Sequence, residues 1–340
     1  METKILSPSD ENIQLAAKAL FNGELVGIPT ETVYGLAANA LIGSSVKHIF
    51  EVKGRPQDNP LIIHISKQED CKKYVTEISD KALLLMEKFW PGPLTIVLKA
   101  GPVIPQEVTA GLSTVAVRCP ENEIARKIIE YAGVPLAAPS ANTSGKPSTT
   151  TAQHVYHDLN GKIPYIVDGG SCTIGVESTI INMSDNVPTL LRPGKISKEE
   201  IEALIGKIEL SPAIFQKMSD DFKAQAPGMK YRHYAPSAKV ILVDGKDSAV
   251  INYINNNAKE NDGIICFDGE EDLFNKGIVK SMGNREDPVS LSHNLFSLLR
   301  EFDETDVETI YSRKCRSDGK YLGVYNRLAK ASGYTIIEVK

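Results

Sequence analysis

The chain has 340 residues, which is too long for one ordinary hydrophobic core and predicts two domains. Its 42% hydrophobic and 24% charged residues are typical of a soluble globular protein. No apolar run reaches membrane-spanning length, and the first residues lack the basic and apolar regions of a signal peptide. We therefore expect a cytoplasmic protein without a membrane segment.

The net charge of −5 is spread along the chain. The part from Lys239 onward has 14 Lys and Arg against 17 Asp and Glu, and the part before it has 24 against 26. Neither part is basic, which argues against a large nucleic-acid-binding surface. The five cysteines are scattered without a CxxC pair, a pattern that favours reduced, buried thiols over disulfides or a zinc site.

The first two-thirds of the chain mixes predicted strands and helices. Ser9 and Asp10 predict the start of a helix that continues to about Phe21 and ends at Gly23. Further helices are predicted at 44–52, 121–131 and 197–205, and strands at 25–29, 61–65, 94–99, 114–118, 134–138, 165–167, 178–182 and 189–191. Because several strands follow one another without a helix between them, the pattern favours a mixed, twisted α/β sheet over a purely parallel one.

A second pattern begins after the aperiodic segment 211–236. Strands at 240–243, 263–267 and 334–339 alternate with helices at 248–259, 291–302 and 321–331, a βαβ rhythm typical of a small Rossmann-like α/β domain. We therefore predict a larger domain at 1–208, a linker at 209–237 and a smaller C-terminal α/β domain at 238–340.

Neither of two common nucleotide-binding motifs occurs in the sequence. The string nearest to a P-loop, SANTSGKPS at 140–148, has Ser140 at the first glycine position and Pro147 at the hydroxyl position. No GxGxxG follows the strand predicted from Val240. Any phosphate must therefore be held by residues from several loops.

Polar residues collect in loops at the ends of the predicted strands. Lys53 and Arg55 flank Gly54, and two cations this close repel unless an anion such as a polyphosphate joins them. Arg118 ends a strand, where its guanidinium can pair with a carboxylate or a phosphate. Taken singly, these residues fit ordinary turns, a solvated basic loop or core positions as well as a site. The further members are Thr30, Glu31, Thr32, Asn59, His64, Ser113, Thr114, Ser140, Asn142, Ser148, Ser178 and Arg192.

Seven motifs follow one another in an order that is specific to one family. They are PTETVYGL, KxR within KGRPQDNPL, LIIHI, FWPGPLT, VAVRCP, APSAN, and VESTI followed by LLRPG. In this order they resemble the YrdC-type threonylcarbamoyl-AMP synthases over about residues 8–205. The segment APGMKYRHYAP and the α/β tail resemble the longer, two-domain members of that family.

The resemblance implies a YrdC-like catalytic domain that condenses L-threonine, bicarbonate and ATP into threonylcarbamoyl-AMP and pyrophosphate. Separate threonylcarbamoyl-transfer proteins would then modify an adenosine of tRNA, so that contact with tRNA is indirect. Mg²⁺ would accompany ATP without a dedicated protein site. This chemistry needs no enzyme nucleophile, and the sequence has no Ser–His–Asp or Cys–His signature.

The resemblance also implies a role for each motif residue. Lys53 and Arg55 would be the catalytic cations on the ATP phosphates. The residues implied at ATP are Lys53, Arg55, Asn59, Thr114, Ser140, Asn142, Ser148, Arg192, Tyr231 and Tyr234, and those at L-threonine are Thr32, His64, Arg118 and Ser178. Many relatives have Thr where Ala137 and Ala138 stand here, so we expect one hydroxyl contact to threonine to be missing.

The string KYRHY at 230–234 has two interpretations. It fits a plain tether between domains, or an aromatic and cationic lid that closes over the nucleotide and excludes water. The resemblance favours the lid.

Two other clusters also carry alternatives. His154 and His157 have a spacing that could ligate a metal, but no Cys or other His lies nearby in the sequence. Arg313, Lys314 and Arg316 form a basic cluster that is more typical of a solvated face than of RNA contact.

Two other functions are compatible with a fold of this type. A non-catalytic RNA-binding module is disfavoured by the acidic balance. A carbamoyl-transfer protein of the hydrogenase-maturation type is disfavoured because acylphosphatase and zinc-finger segments are missing from the sequence.

Overall fold

The computed structural model describes residues 2–219, 221–229 and 233–340. Two β-sheets organise these residues, one built from the first 210 positions and one from residue 239 onward. Among the described residues, no helix combines the length and the apolar character that crossing a membrane requires.

The larger sheet has eleven strands within the described residues. They are β1 (Lys4–Leu6), β2 (Val26–Ile28), β3 (Gly35–Asn39), β4 (Ile62–His64), β5 (Leu94–Lys99), β6 (Thr114–Arg118), β7 (Leu136–Ala137), β8 (Tyr165–Val167), β9 (Thr179–Asn182), β10 (Thr189–Arg192) and β11 (Glu209–Leu210). Their spatial order is β1-β8-β2-β3-β7-β4-β6-β5-β9-β10-β11. The pair β4–β6 is parallel, whereas β4–β7 and β5–β6 are antiparallel, so the predicted mixed sheet is confirmed.

Helices pack around this sheet where apolar residues recur on one face. They are α1 (Asp10–Phe21), α2 (Gly43–Lys53), α3 (Asp80–Phe89), α4 (Gln106–Thr109), α5 (Glu123–Ala132), α6 (Ala152–Leu159) and α7 (Lys198–Ile205). The Ser9 hydroxyl caps α1 as predicted, because it accepts a hydrogen bond from the Asn12 amide. Gly54 ends α2 with a φ of 62°, a left-handed conformation that turns the chain into the loop of Arg55.

The smaller sheet is parallel throughout, which confirms the Rossmann-like prediction. Its strands are β12 (Lys239–Asp244), β13 (Gly263–Cys266), β14 (Ile278–Ser281), β15 (Thr309–Arg313) and β16 (Ile336–Glu338), in the order β14-β13-β15-β12-β16. Its helices are α8 (Asp247–Asn257), α9 (Pro288–Asp303) and α10 (Leu322–Ala331). Strand β11 still pairs with β10 of the larger sheet, two residues beyond the boundary predicted at 208, and the exact domain limits stay a prediction.

Several described residues of the segment after β11 are buried against the sheet. Ala213, Ala226 and Met229 join Ile62 of β4 and Ala116 of β6 in one hydrophobic cluster. These described residues therefore cover part of β4 and β6, two strands that carry predicted site residues. This contact positions the linker beside that site.

Candidate functional site

A pocket lies at the carboxyl ends of the parallel strands β4 and β6 and is bordered by the loops after β2 and β7. Polar side chains from loops far apart in the sequence line it, as expected for a ligand site at strand ends. Nine of the residues predicted from the motifs form part of its wall: Thr32, Arg55, His64, Arg118, Ser140, Asn142, Ser178, Arg192 and Tyr234.

Arg118 lies at one end of the pocket in a fixed orientation. Its Nη1 donates a 2.9 Å hydrogen bond to Thr32 Oγ1, and its Nε donates one of 3.2 Å to the Gly92 carbonyl. Its Nη2 lies 2.6 Å from Glu31 Oε1 in a buried ion pair. Because the planar guanidinium is held on several sides, its direction is set before any ligand arrives.

His64 lies beside Arg118, since His64 and Arg118 are register partners in the parallel pair β4–β6. Burial, together with the Arg118 charge, lowers the pKa of the His64 imidazole to about 3. The ring is therefore neutral near pH 7. Its Nδ1 has no hydrogen-bond partner among the described residues, so it is available to a polar ligand.

The loop after β7, residues 139–149, forms the opposite wall and is closed by its own side chains. Ser140 Oγ donates to Asn142 Oδ1, and Asn142 Nδ2 donates to the carbonyls of Thr143 at 2.8 Å and Lys146 at 2.9 Å. Lys53 Nζ donates to the carbonyls of Ser140 and Asn142 from behind. Burial, followed by the nearby Arg55 charge, lowers the Lys53 pKa well below its ordinary value.

Arg192 and Ser178 form the third wall. Arg192 Nε and Nη2 donate to the carbonyl and the hydroxyl of Ser178 at 3.0 and 3.1 Å. Its Nη1 reaches the Pro227 carbonyl of the linker at 3.3 Å. Burial lowers the Arg192 pKa to about 10, and the side chain stays charged near pH 7.

The described part of the linker contacts the same pocket. Tyr234 has a φ of 65° and is 94% buried, with its ring 5.2 Å from that of Phe296 and under the Arg327 guanidinium at 5.3 Å. The Ala235 amide donates a 2.9 Å hydrogen bond to the Gly145 carbonyl of the loop after β7. Tyr231, the other linker residue predicted at ATP, lies outside the described residues.

Four predicted residues are placed behind or beyond the pocket wall. Lys53 lies behind the loop that it holds, and Ser148 does not line the pocket but donates its hydroxyl to Glu177 Oε1. Asn59 and Thr114 lie at the amino ends of β4 and β6, about 13 Å along β6 from Arg118 for four residues of strand. These four residues therefore do not line the pocket in the described conformation, and their assignment to ATP stays a prediction.

Comparison with known proteins connects this geometry with one family. A family model described as "Telomere recombination", covering Sua5, YciO and YrdC proteins, matches residues 18–194, and one described as "Threonylcarbamoyl-AMP synthase, C-terminal domain" matches residues 196–333. The threonylcarbamoyl-AMP synthase of Pyrococcus abyssi is 49% identical over 335 residues, 96% of each chain. That of Bacillus subtilis is 43% identical over 338 residues, 98% of this chain and 97% of its own. The solved structure of P. abyssi Sua5 complexed with L-threonine matches with a TM-score of 0.93 and 46% identity over the full length of both chains.

The chain belongs to the Sua5/YrdC family of threonylcarbamoyl-AMP synthases. The resemblance drawn from the seven motifs is confirmed, and so is the enzyme class, a nucleotidyltransferase that forms threonylcarbamoyl-AMP in the tRNA threonylcarbamoyladenosine pathway. The alternatives of an RNA-binding module and a hydrogenase-maturation protein are thereby set aside.

Two carboxylates of the synthase site had no predicted role: Glu31 was named only as a loop residue, and Glu177 was not named. Glu31 pairs with Arg118, and Glu177 lines the pocket beside Ser178. Burial alone would raise the pKa of the Glu177 carboxyl, but the charges of Arg327 and Arg192 and the Ser148 hydrogen bond lower it. Glu31 lies in the motif TETV and Glu177 in the motif VEST. In the sequence, each is a lone carboxylate next to predicted site residues, and that was the only indication of a role.

The histidine pair and the cysteines of the synthase have local explanations. His154 Nδ1 lies 3.3 Å from the Thr150 hydroxyl, and His157 Nδ1 lies 3.2 Å from Asp158 Oδ1. Among the described residues, no group of three or more His, Cys, Asp or Glu side chains is arranged to hold a metal ion. All five cysteines, each within the described residues, are buried and unbridged.

The basic cluster in the tail forms local ion pairs. Arg313 pairs with Asp247 and Glu270, and Lys314 pairs with Asp244. Arg316 pairs with Asp318 at 3.0 Å. Arg313 is 97% buried, so the prediction of a solvated face is wrong for that residue, which instead packs over Phe267 at 5.6 Å.

Proposed function

We propose that the pocket binds L-threonine at its Arg118 end and ATP along the loop after β7, and that it joins them through a carbamate made from bicarbonate. The observation that carries this proposal is the buried Arg118 guanidinium, fixed by Thr32 and adjacent to the neutral His64. The family membership supplies the reaction class, and the geometry supports an assignment of residues to each substrate.

The Arg118 end suits an α-amino acid. A fixed guanidinium favours a carboxylate through charge-assisted hydrogen bonds, and the hydroxyls of Thr32 and Ser178 add short polar groups nearby. The neutral His64 ring can accept a hydrogen bond from bound threonine or donate one to it, without adding a second positive charge. Threonine is the ligand in the matched P. abyssi structure, which supports the same assignment here.

The remaining walls suit a nucleoside triphosphate. Arg55 and Arg192 line the pocket as cations, and Ser140 and Asn142 present hydroxyl and amide groups, which together satisfy the needs of phosphate oxygens. Arg55 Nη2 also donates to the Asn59 carbonyl at 3.2 Å. The Asn59 amide is fully buried, and neither its oxygen nor its nitrogen has a partner among the described residues. We assign Asn59 and Thr114, both at the amino ends of their strands, to the far part of an extended ATP molecule.

The proposed chemistry balances without an enzyme nucleophile. The threonine amine attacks the carbon of bicarbonate, water leaves, and an N-carboxylate, the carbamate, forms. A carbamate oxygen then attacks the α-phosphorus of ATP, the bond to the β-phosphate oxygen breaks, and pyrophosphate leaves with the electron pair. Catalysis then depends on holding the reacting atoms together and on neutralising phosphate charge, which Arg55 and Arg192 would provide, while Lys53 holds the loop after β7.

Magnesium would enter with ATP. Glu177 is the carboxylate that lines the described pocket, and its oxygens already accept from Ser148 and Arg327. The donor set therefore fits an ion held mainly by phosphate oxygens and water. Bound in this way, Mg²⁺ would reduce the negative charge of the phosphates.

The other inferred partners and the location also belong to this proposal. The labile product would pass to separate threonylcarbamoyl-transfer proteins, so that this chain meets tRNA only indirectly. Buried, unbridged cysteines are typical of a reducing compartment, which supports a cytoplasmic enzyme.

The linker would act as a lid. Tyr234 lines the pocket, the Pro227 carbonyl accepts from Arg192, and Ala235 bonds the loop after β7. A segment attached to two walls can shield a labile mixed anhydride from water. Deleting 227–236 while keeping both domains should lower the yield of threonylcarbamoyl-AMP, and an unchanged yield would contradict the lid.

The residue assignment is tested by following labelled bicarbonate into the product. With ATP, Mg²⁺ and L-threonine, we expect ¹⁴C to enter threonylcarbamoyl-AMP, identified by its mass after rapid chromatography. Arg118→Ala should abolish incorporation at low threonine, whereas Lys127→Ala on the exposed face of α5 should not. Equal incorporation by both variants would contradict the proposed threonine site.

A further inference from the structure

Two buried arginines of the C-terminal part support the loop after β7, Arg300 directly and Arg327 through Glu177. Arg300 lies on α9 and Arg327 on α10, and their side chains are 8% and 0% exposed. Neither lines the pocket among its described residues. Burying a guanidinium is costly unless carboxylates and carbonyls satisfy it, so their partners show what each one holds in place.

Arg300 holds both ends of the segment 143–148. Its Nε donates to the Ser148 carbonyl at 3.2 Å, and its Nη2 donates to the Pro147 carbonyl at 2.6 Å. Both terminal nitrogens also donate to Asp158 at 3.0 Å. Asp158 in turn accepts a 2.9 Å hydrogen bond from the Thr143 amide. Burial alone would raise the Asp158 pKa, but the hydrogen bonds and charge of Arg300 lower it to about 2, so the pair stays ionised.

Arg327 reaches the same loop through Glu177. Its Nε donates to Glu177 Oε2 at 2.7 Å, and the other oxygen of that carboxylate accepts from the Ser148 hydroxyl. The Arg327 guanidinium also lies over the Tyr234 ring at 5.3 Å. A single buried cation therefore joins the loop after β7, the VEST motif and the linker.

The loop is thus held from two sides. Lys53, from α2, binds the carbonyls of Ser140 and Asn142, and the C-terminal part binds the carbonyls of Pro147 and Ser148. Arg118 at the threonine end has no such contact, because the described partners of its side chain are Thr32, Glu31 and Gly92 of the first domain.

We propose that Arg300 and Arg327 are positioning residues for ATP, through which the C-terminal domain completes the nucleotide half of the site and leaves the threonine half independent. This inference rests on the proposed function, in which the loop after β7 binds ATP. The C-terminal domain would then affect the affinity for one substrate selectively. If the C-terminal domain only stabilised the fold, its loss would weaken the binding of ATP and of threonine alike.

The test measures binding of each substrate separately, by calorimetry with Mg-ATP alone and with L-threonine alone. For Arg300→Met and Arg327→Met we expect the ATP dissociation constant to rise at least tenfold and that of threonine to change less than twofold. Arg300→Lys should keep part of the ATP affinity, since an ammonium can satisfy some of the same acceptors. Arg316→Met, which removes an exposed pair with Asp318, is the matched control and should change neither constant.

A double variant covers the risk that Arg300→Met fails to fold. Arg300→Met/Asp158→Asn removes both members of the buried pair, so no unpaired charge remains, yet the segment 143–148 still loses its restraint. It should fold, bind threonine normally and bind ATP at least tenfold more weakly. Normal ATP affinity in this variant would overturn the inference, and so would an equal loss of both ligands.

Ser140→Ala separates this inference from the proposed function. If Ser140→Ala leaves ATP affinity unchanged, the loop does not bind the nucleotide and the proposed function fails at that point. If Ser140→Ala weakens ATP while the Arg300 and Arg327 variants do not, only the positioning role is overturned.

Discussion

The Arg118 guanidinium donates a 2.9 Å hydrogen bond to the Thr32 hydroxyl, which lies 86 positions earlier in the chain. The contact joins the end of β6 to the turn after β2, two strands that are separated in the sheet by β3, β7 and β4. It therefore exists only when the mixed sheet is complete. The residues of the threonine end are therefore neighbours because of the order of the strands in the sheet.

Replacing Arg118 with Lys should weaken threonine binding selectively. An ammonium keeps the charge but loses the planar fork that Thr32, Gly92 and Glu31 hold in place, and a hydrogen bond to a charged group is worth about 1.5–3 kcal/mol. We expect the threonine dissociation constant to rise by roughly 10- to 150-fold and that of ATP to stay within twofold. Titration calorimetry on Arg118→Lys and on the helix variant Arg126→Lys measures the difference; equal threonine affinity in both variants would contradict the role of Arg118.

A hydroxyl added at Ala138 should strengthen threonine binding. Of the two alanines where many relatives have Thr, Ala138 lines the pocket, whereas Ala137 is fully buried in the core. A new hydrogen bond contributes about 0.5–1.5 kcal/mol, so Ala138→Thr should lower KM for threonine by roughly two- to tenfold. Ala137→Thr should instead lower the free energy of unfolding by about 1–3 kcal/mol, because it buries a hydroxyl. Steady-state kinetics and urea unfolding of both variants test this contrast. A lower KM for threonine in Ala137→Thr but not in Ala138→Thr would contradict it.

Substitutions of Lys53 and Arg55 should impair the enzyme in different ways. Lys53 is buried and binds two loop carbonyls, so Lys53→Met should reduce both ATP affinity and the free energy of unfolding, the latter by about 1–3 kcal/mol. Arg55 lines the pocket, and Arg55→Met should reduce ATP turnover at least a hundredfold while the urea midpoint stays close to that of the unaltered enzyme. Identical midpoints for the two variants would show that Lys53 has no structural role.

Lys330 should make stability depend on pH. Burial, with the Arg327 and Arg192 charges, lowers the pKa of its ammonium from 10.5 to about 7. Between these values the unfolded chain binds one more proton than the folded chain, so this contribution to the free energy of unfolding rises with pH, and it is lost as pH falls toward 7.

Lys330→Met should remove that pH dependence. From pH 7 to 9 the enzyme with Lys330 should gain on the order of 1–3 kcal/mol relative to Lys330→Met, at up to about 1.4 kcal/mol per pH unit. Urea unfolding at pH 7, 8 and 9 measures the difference, with Lys320→Met as an exposed control. Parallel curves for Lys330→Met and the unaltered enzyme would contradict the assignment.

Much of the fold followed from local pattern. The strands predicted at 94–99, 114–118 and 165–167 have the observed limits, because β-branched and apolar runs there are bounded by polar or turn residues. Strand β3 (Gly35–Asn39) was not among the predicted strands. It is fully buried between β2 and β7, so its alanines and glycine form a strand through tertiary packing that their weak strand propensity does not indicate.

The site was predicted from motifs, and the residues that this prediction misplaced show what motifs do not reveal. Order along the chain identified His64 and Arg118, which the parallel register then placed side by side. It gave no sign that Lys53 and Ser148 are buried beside the pocket, because that depends on where their partners lie in space: the Ser140 and Asn142 carbonyls for Lys53, and Glu177 for Ser148. Contacts across more than 140 positions, such as that of Arg300 with Asp158, leave no local pattern in either segment.

Pyrophosphate release tests the central claim most directly. Purified enzyme with Mg-ATP should release pyrophosphate at a steady rate only when both L-threonine and bicarbonate are present, and bicarbonate-depleted buffer should suppress that release even at saturating threonine. Release that persists without threonine, or no release with the complete mixture, would contradict the account.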